Sequence, residues 1–164
     1  MADSPGPAFI WGFVAVCAWI GLVIAASIFY RRSSGKPIWH RDDEDALFLE
    51  KRASGNSHRT WYTKLGGARN ALAVAVTPSH LVVRPLFPFN LMFLPEIYGL
   101  EATVPLNRVR AVETGRQFGQ DVVDVEFEGA SGEVERYSLG LRRQDEFLTA
   151  LDRAQRASAS GAVR

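Results

Sequence analysis

The sequence has a single cysteine, Cys17, which lies in an apolar stretch, so the rest of the chain can form no internal disulfide and no cysteine-based zinc site. Histidine is scarce too. His40, His58 and His80 are far apart, and no pair has the His-x-x-x-His spacing that sets two metal ligands on one helix face. Excess charge of either sign is missing: 19 Lys+Arg stand against 18 Asp+Glu, a formal net charge of +1. A nucleic-acid binder carries a strong basic excess on one face, and that class is set aside. Ser57-His58 has no nucleophile elbow around it. Leu65-Gly66-Gly67-Ala68-Arg69 does not follow a strand and open a helix, as a phosphate loop must, and reads as a turn. The acidic run Asp42-Asp43-Glu44-Asp45 lacks the alternation, turn glycine and terminal glutamate of a calcium loop. Catalysis, metal and cofactor are all expected to be absent.

What is present begins with AFIWGFVAVCAWIGLVIAASIFY, Ala8 to Tyr30, without one charge. At 1.5 Å per residue such a helix is roughly 34 Å long, enough to cross the hydrocarbon core of a bilayer. Trp11 and Tyr30 suit the two interfaces, and no polar stripe marks it as the core helix of a soluble protein. A cleaved signal peptide fits less well, because MADSPGP ahead of the run carries Asp3 and no basic residue. Arg31, Arg32 and Lys36 follow the run, and by the positive-inside rule that side is cytoplasmic. The expected protein is single-pass in the inner membrane, with residues 1–7 outside, a span over 8–30 and everything after it inside. The same three cations are candidates for touching anionic lipid headgroups. Gly12, Ala15, Ala18, Gly21 and Ala25 are read as lying near one face of the span, as a helix-packing interface requires.

Residues 31–57 read as a juxtamembrane tether, with Asp45 capping a short helix through Glu50 and Lys51 that Ala53-Ser54-Gly55-Asn56-Ser57 breaks. Then the period changes. ALAVAVT and HLVVR, either side of Pro78-Ser79, read as a tight hairpin. Two short extended pieces flank Pro105-Leu106-Asn107. Val123, Val125 and Phe127 alternate with Asp124, Glu126 and Glu128, a half-buried strand whose partner is Val134 to Leu141 across a turn at Gly129 to Gly132. Phe147, Leu148, Leu151 and Ala154 fall at helical spacing, so the domain closes with an amphipathic helix. Residues 58–156 form the globular domain and 157–164 a disordered tail.

About six or seven short strands and one terminal helix match few small folds. The hairpin ALAVAVTPSHLVVRP, the segment VPLNRVRAVE, the paired strands DVVDVEFEG and ERYSLGL, and the final RRQDEFLTALDRA together resemble a bacterial pleckstrin-homology-like (PH-like) domain. The resemblance implies a mainly β domain: a bent, partly closed barrel of two packed antiparallel sheets, plugged at one end by the C-terminal helix. It also implies that lipid-binding members hold a phosphorylated headgroup with cations around the first hairpin loop. The turn read here as that loop, Thr77-Pro78-Ser79-His80, has no cation, and Arg69 and Arg84 only flank the hairpin.

The most informative feature is Leu86-Phe87-Pro88-Phe89-Asn90-Leu91-Met92-Phe93-Leu94, bounded by Pro85 and Pro95. It is too short to span a bilayer, and Pro88 argues against a regular central strand. Two readings stand: a core strand with an irregular edge, or an exposed apolar loop that docks a partner or the membrane surface. In the second, Phe87, Phe89, Leu91, Met92 and Phe93 are the contact residues. The function that fits is a non-catalytic, membrane-anchored module presenting a protein-interaction surface at the cytoplasmic face, a recruiter or regulator of a membrane-protein partner. The alternatives are an accessory subunit of a membrane complex recognised through its span, and a sensor of anionic lipid. Homo-oligomerisation is left open.

Overall fold

The computed structural model describes residues 6–33, 35, 45–58, 63, 67–91, 99–117, 119–129 and 131–161. The chain divides into two compact units, Met1–His40 and Arg41–Arg164. The first is built on one helix, α1 (Pro7–Ser33). Proline at its first position has no amide proton to leave unpaired, and Arg31 and Arg32 in its last turn oppose the negative end of the helix dipole. Among the described residues it is the one helix long and apolar enough to cross a membrane, with a mean hydropathy of 2.4 over its richest window.

The second unit is a seven-stranded antiparallel sheet closed by a helix: β1 (Phe48–Ser57), β2 (Ala68–Val76), β3 (His80–Pro85), β4 (Ala102–Pro105), β5 (Val109–Gln117), β6 (Gln120–Glu128), β7 (Val134–Gly140) and α2 (Gln144–Gly161). The strand order is β4-β3-β2-β1-β7-β6-β5. Its two edges, β4 and β5, are consecutive in sequence and joined only by the 3-10 turn Leu106–Arg108. Flat, six strand spacings would hold those edges about 29 Å apart. The link from Pro105 to Val109 reaches at most about 14 Å. The sheet is therefore curled until its edges nearly meet, which is the partial barrel that the resemblance implied.

The bend is built into β1. It pairs with β2 over Phe48 to Gly55 and with β7 over Ser54 to Ser57, and its register slips on either side of Ala53. Arg52 has φ 69°, in the left-handed region. A bulge here adds local twist and lets one strand serve both halves of the sheet. Gly67 passes so close to β1 that a Cβ there would lie 2.9 Å from the Gly55 carbonyl oxygen.

Leu72, Val74, Val76, Val123, Val125 and Leu139 line the interior. From α2, Phe147, Leu151 and Ala154 fill the open end, with Phe147 edge-on to Phe48 at 5.5 Å. Spacing of three and four residues puts these three on one helix face, as the sequence pattern required.

Three expectations are corrected. The helix capped by Asp45 is not formed: Phe48 to Ser57 is β1, in the middle of the sheet, and the globular unit starts well before residue 58. The hairpin at Thr77 to His80 is consequently the second, not the first. The terminal helix does not end near Ala157 but continues to Gly161, with the single Ser158 Oγ proton shared between the carbonyls of Ala154 (2.9 Å) and Pro78 (3.2 Å). The last of these bonds ties the helix end to the β2–β3 turn.

Candidate functional site

β3 ends in Pro85, whose lack of an amide proton stops the ladder. Leu86 still donates its N–H to the Ala71 carbonyl at 2.7 Å, and the chain then turns through Phe87 and Pro88 into a short 3-10 helix, Phe89–Leu91. The alternation that would bury every second side chain in a core strand is not kept. Phe87 is 57% and Phe89 40% exposed, while Asn90 is buried, its N–H bonded to the Leu86 carbonyl at 3.3 Å. The first half of the apolar segment is thus a knuckle held by its polar base, with two aromatic rings facing outward. Leu91 ends the 3-10 turn; Met92 and Phe93 lie outside the described residues, as does Lys36.

In the first unit, Gly12, Ala15, Ala18, Gly21 and Ala25 all belong to α1 and are exposed. At about 100° per residue, Gly12 and Gly21 point in opposite directions, so the five do not share one narrow face. Ala18, Gly21 and Ala25 fall within an arc of about 60° and form the stripe that remains.

On the outer face of β5–β7, acids meet arginines across strands. Arg110 pairs with Glu128 at 2.7 Å, and Arg136 reaches Glu126 (3.3 Å), Glu113 (3.4 Å) and Asp124 (3.8 Å). Pairs this exposed fix register and charge pattern more than they stabilise.

One arrangement has the composition of a hydrolase site, and sequence reasoning missed it. His58 Nε2 lies 2.8 Å from Ser138 Oγ, which donates to Asp124 Oδ1. A serine has one proton, and with that proton on Asp124 the imidazole Nε2–H must donate to the serine oxygen. A nucleophilic serine needs the opposite order, with histidine accepting the serine proton and the acid behind the histidine. Ser138 is also 3% exposed. The trio ties the end of β1 to β7 and β6, a structural role. It could have been found only by reading β1 as a strand, since pairing of Asn56 with Ser138 delivers His58 to that spot. Among the described residues no group of three or more His, Cys, Asp or Glu is placed to hold a metal ion.

A curled seven-stranded antiparallel sheet with its last helix in the open end is a PH-like architecture. One solved structure similar to this chain is the Vps36 N-terminal PH domain, at 15% identity, TM-score 0.43, covering 80% of this chain and 91% of that one. No family model matches the sequence, and no curated protein matches it.

Proposed function

We propose that this chain is a membrane-anchored, non-catalytic interaction module: α1 spans the bilayer, and the PH-like domain recruits or regulates a membrane-protein partner at the cytoplasmic face. The observation that carries the reading is the knuckle, two exposed aromatic rings on a turn whose base is pinned by buried Asn90. Exposed aromatics in such a position cost solubility, and they are the side chains that supply most of the energy at protein interfaces. α1 supports the anchoring half, because its apolar rings point all round the helix axis, with Phe9, Trp11, Trp19 and Phe29 among the exposed ones. A helix apolar on every side belongs in lipid. Anchoring also raises the local concentration of the domain beside any membrane partner, so weak contacts suffice.

The test is Phe87→Ser with Phe89→Ser in the full chain, followed by cross-linking in intact cells and recovery through a C-terminal tag. The expected outcome is an unchanged melting temperature and at least about tenfold loss of a co-purifying membrane protein, since two interface aromatics contribute more than 1.4 kcal/mol. Unfolding of the double variant would make the knuckle core. Undiminished recovery of the partner would sink the docking surface and favour recognition through α1; loss of vesicle binding with no protein recovered would favour lipid sensing.

Orientation follows from Arg31 and Arg32 at the end of α1. Alkaline phosphatase fused after Arg164 is expected to be inactive, because it would remain in the cytoplasm. Strong phosphatase activity would reverse the topology.

A further inference from the structure

We propose that the outer face of α2 is the interface of a homodimer, in which α2 of one chain crosses α2 of a second copy, antiparallel, about a twofold axis at Thr149. The face borders a cleft of about 320 Å³, lined by Leu47, Asp145, Glu146, Thr149, Ala150 and Arg153. It belongs to a different element from the aromatic knuckle and does not rest on the reading given for the knuckle.

The cleft joins an apolar patch to charges of both signs. Leu47 is 45% exposed, yet its N–H donates to the Val76 carbonyl at 2.8 Å, so the residue is fixed just ahead of β1. A large aliphatic side chain held in water gains by being covered. Ala150, half-buried, lines the cleft with it. Glu146 is answered by Arg143 at 3.1 Å, and Asp152 on the flank by Arg156 at 2.9 Å. Asp145 and Arg153 are exposed, and among the described residues neither takes part in an ion pair. Open charges alone would make an ordinary solvated face. These two differ in their placement: opposite in sign, eight residues apart on one helix, with Thr149 midway between them.

Opposite charges set symmetrically about one residue are their own complement under a twofold axis, where residue i meets j and j meets i. Asp145, Thr149 and Arg153 follow one another at steps of four, a single ridge with about 6 Å of rise on each side of Thr149. Two helices whose ridges of this kind interdigitate cross at about −50°. With Thr149 on the axis, Asp145 of each copy meets Arg153 of the other, so the pair forms twice. Thr149 and Ala150 are small enough at the crossing for the helix axes to approach to about 8–10 Å. Each Leu47 is covered from the side by the other copy. Exposed ion pairs of this kind decide orientation and partner more than affinity.

The test is disulfide trapping of the full chain in mild detergent. Thr149→Cys is made in a Cys17→Ser background, which leaves one thiol in the chain. It is expected to oxidise to a covalent dimer, because a residue on the axis faces its own copy. Arg156→Cys in the same background is about 10 Å of rise from the axis, so its two copies lie on opposite sides of the crossing and should be trapped at least about tenfold more slowly. Added to Thr149→Cys, Asp145→Arg and Arg153→Asp should each slow trapping about tenfold, since each sets like charges against one another twice. Mixed together, the two charge variants are complementary at both pairs, and a heterodimer of one with the other should form at the rate of the Thr149→Cys parent. That rescue separates a lost contact from a damaged helix. Asp145→Asn with Arg153→Gln removes both charges without adding repulsion, and should slow trapping about threefold with the melting temperature unchanged. Trapping at position 156 as fast as at 149, charge variants as fast as their parent, or a mixture that gives no heterodimer would each overturn the proposal. So would oxidation in isolated membranes that joins Thr149→Cys to a different protein in place of a second copy.

Discussion

Phe147→Ala is expected to lower the unfolding free energy of the PH-like domain by about 3–5 kcal/mol, the usual cost of removing a fully buried aromatic ring. Phe147 is 0% exposed and meets Phe48 edge-to-face at 5.5 Å. The ring is the point at which α2 enters the open end of the curled sheet, with Leu151 and Ala154 following it on the same helix face. Its loss leaves a void between a helix and strand β1 that are far apart in sequence, so local refolding cannot close it. Adjacent to that contact, Arg143 lies over the Phe48 ring at 5.0 Å, and its stacking weakens if Phe48 tilts into the void. Thermal unfolding of the full chain, followed by near-ultraviolet circular dichroism, should show the midpoint falling by more than about 10 °C. Phe89→Ala, exposed on the knuckle, should shift it by no more than a degree or two. A Phe147→Ala shift as small as that would mean α2 is not holding the barrel closed.

Why some elements were legible and others not is a matter of phase. β2, β3, β6 and β7 keep strict alternation or an unbroken apolar run between turn residues, and α2 keeps helical spacing, so periodicity finds all of them. β1 fails that test because its alternation is interrupted. Phe48 and Glu50 face inward, the bulge at Arg52 inserts an extra residue, and Ala53 and Gly55 resume burial one step out of phase. A single slip of this kind sends the remaining side chains to the opposite expected face, and FLEKRASGNS then reads as a frayed helix and a loop. The site inherited the error. With β1 unread, His58 could not be set beside Ser138. At the knuckle the sequence went halfway: Pro85 and Pro88 break the strand in the sequence itself, but composition left open whether Phe87 and Phe89 are core or exposed.

Glu50→Ala is expected to cost about 3 kcal/mol, far more than a surface acid would. Glu50 is 5% exposed and sits in the missed strand, yet its carboxylate serves the other end of the chain. Oε1 accepts the Arg142 N–H at 2.8 Å and Oε2 the Arg143 N–H at 3.1 Å, just ahead of the first turn of α2. The Arg143 guanidinium, with Nε 4.0 Å from the same carboxylate, also donates to the Leu49 carbonyl. A helix start normally draws its acceptor from a capping residue of its own sequence; here Arg143 holds that position, and the N–H groups of Arg142 and Arg143 just ahead of the helix are met by an acid more than ninety residues earlier. Alanine would leave two backbone donors without acceptors at a part-buried junction, at about 1–3 kcal/mol each less whatever water recovers. Glutamine tests the chemistry separately from the volume. Its carbonyl oxygen can accept one N–H, but its amide nitrogen then faces the other, donor against donor, so Glu50→Gln should fall between wild type and alanine in urea denaturation. If Glu50→Gln proves as stable as wild type, the two N–H bonds carry little, and the contacts of Phe147 and Arg143 with Phe48 and Leu49 join β1 to α2.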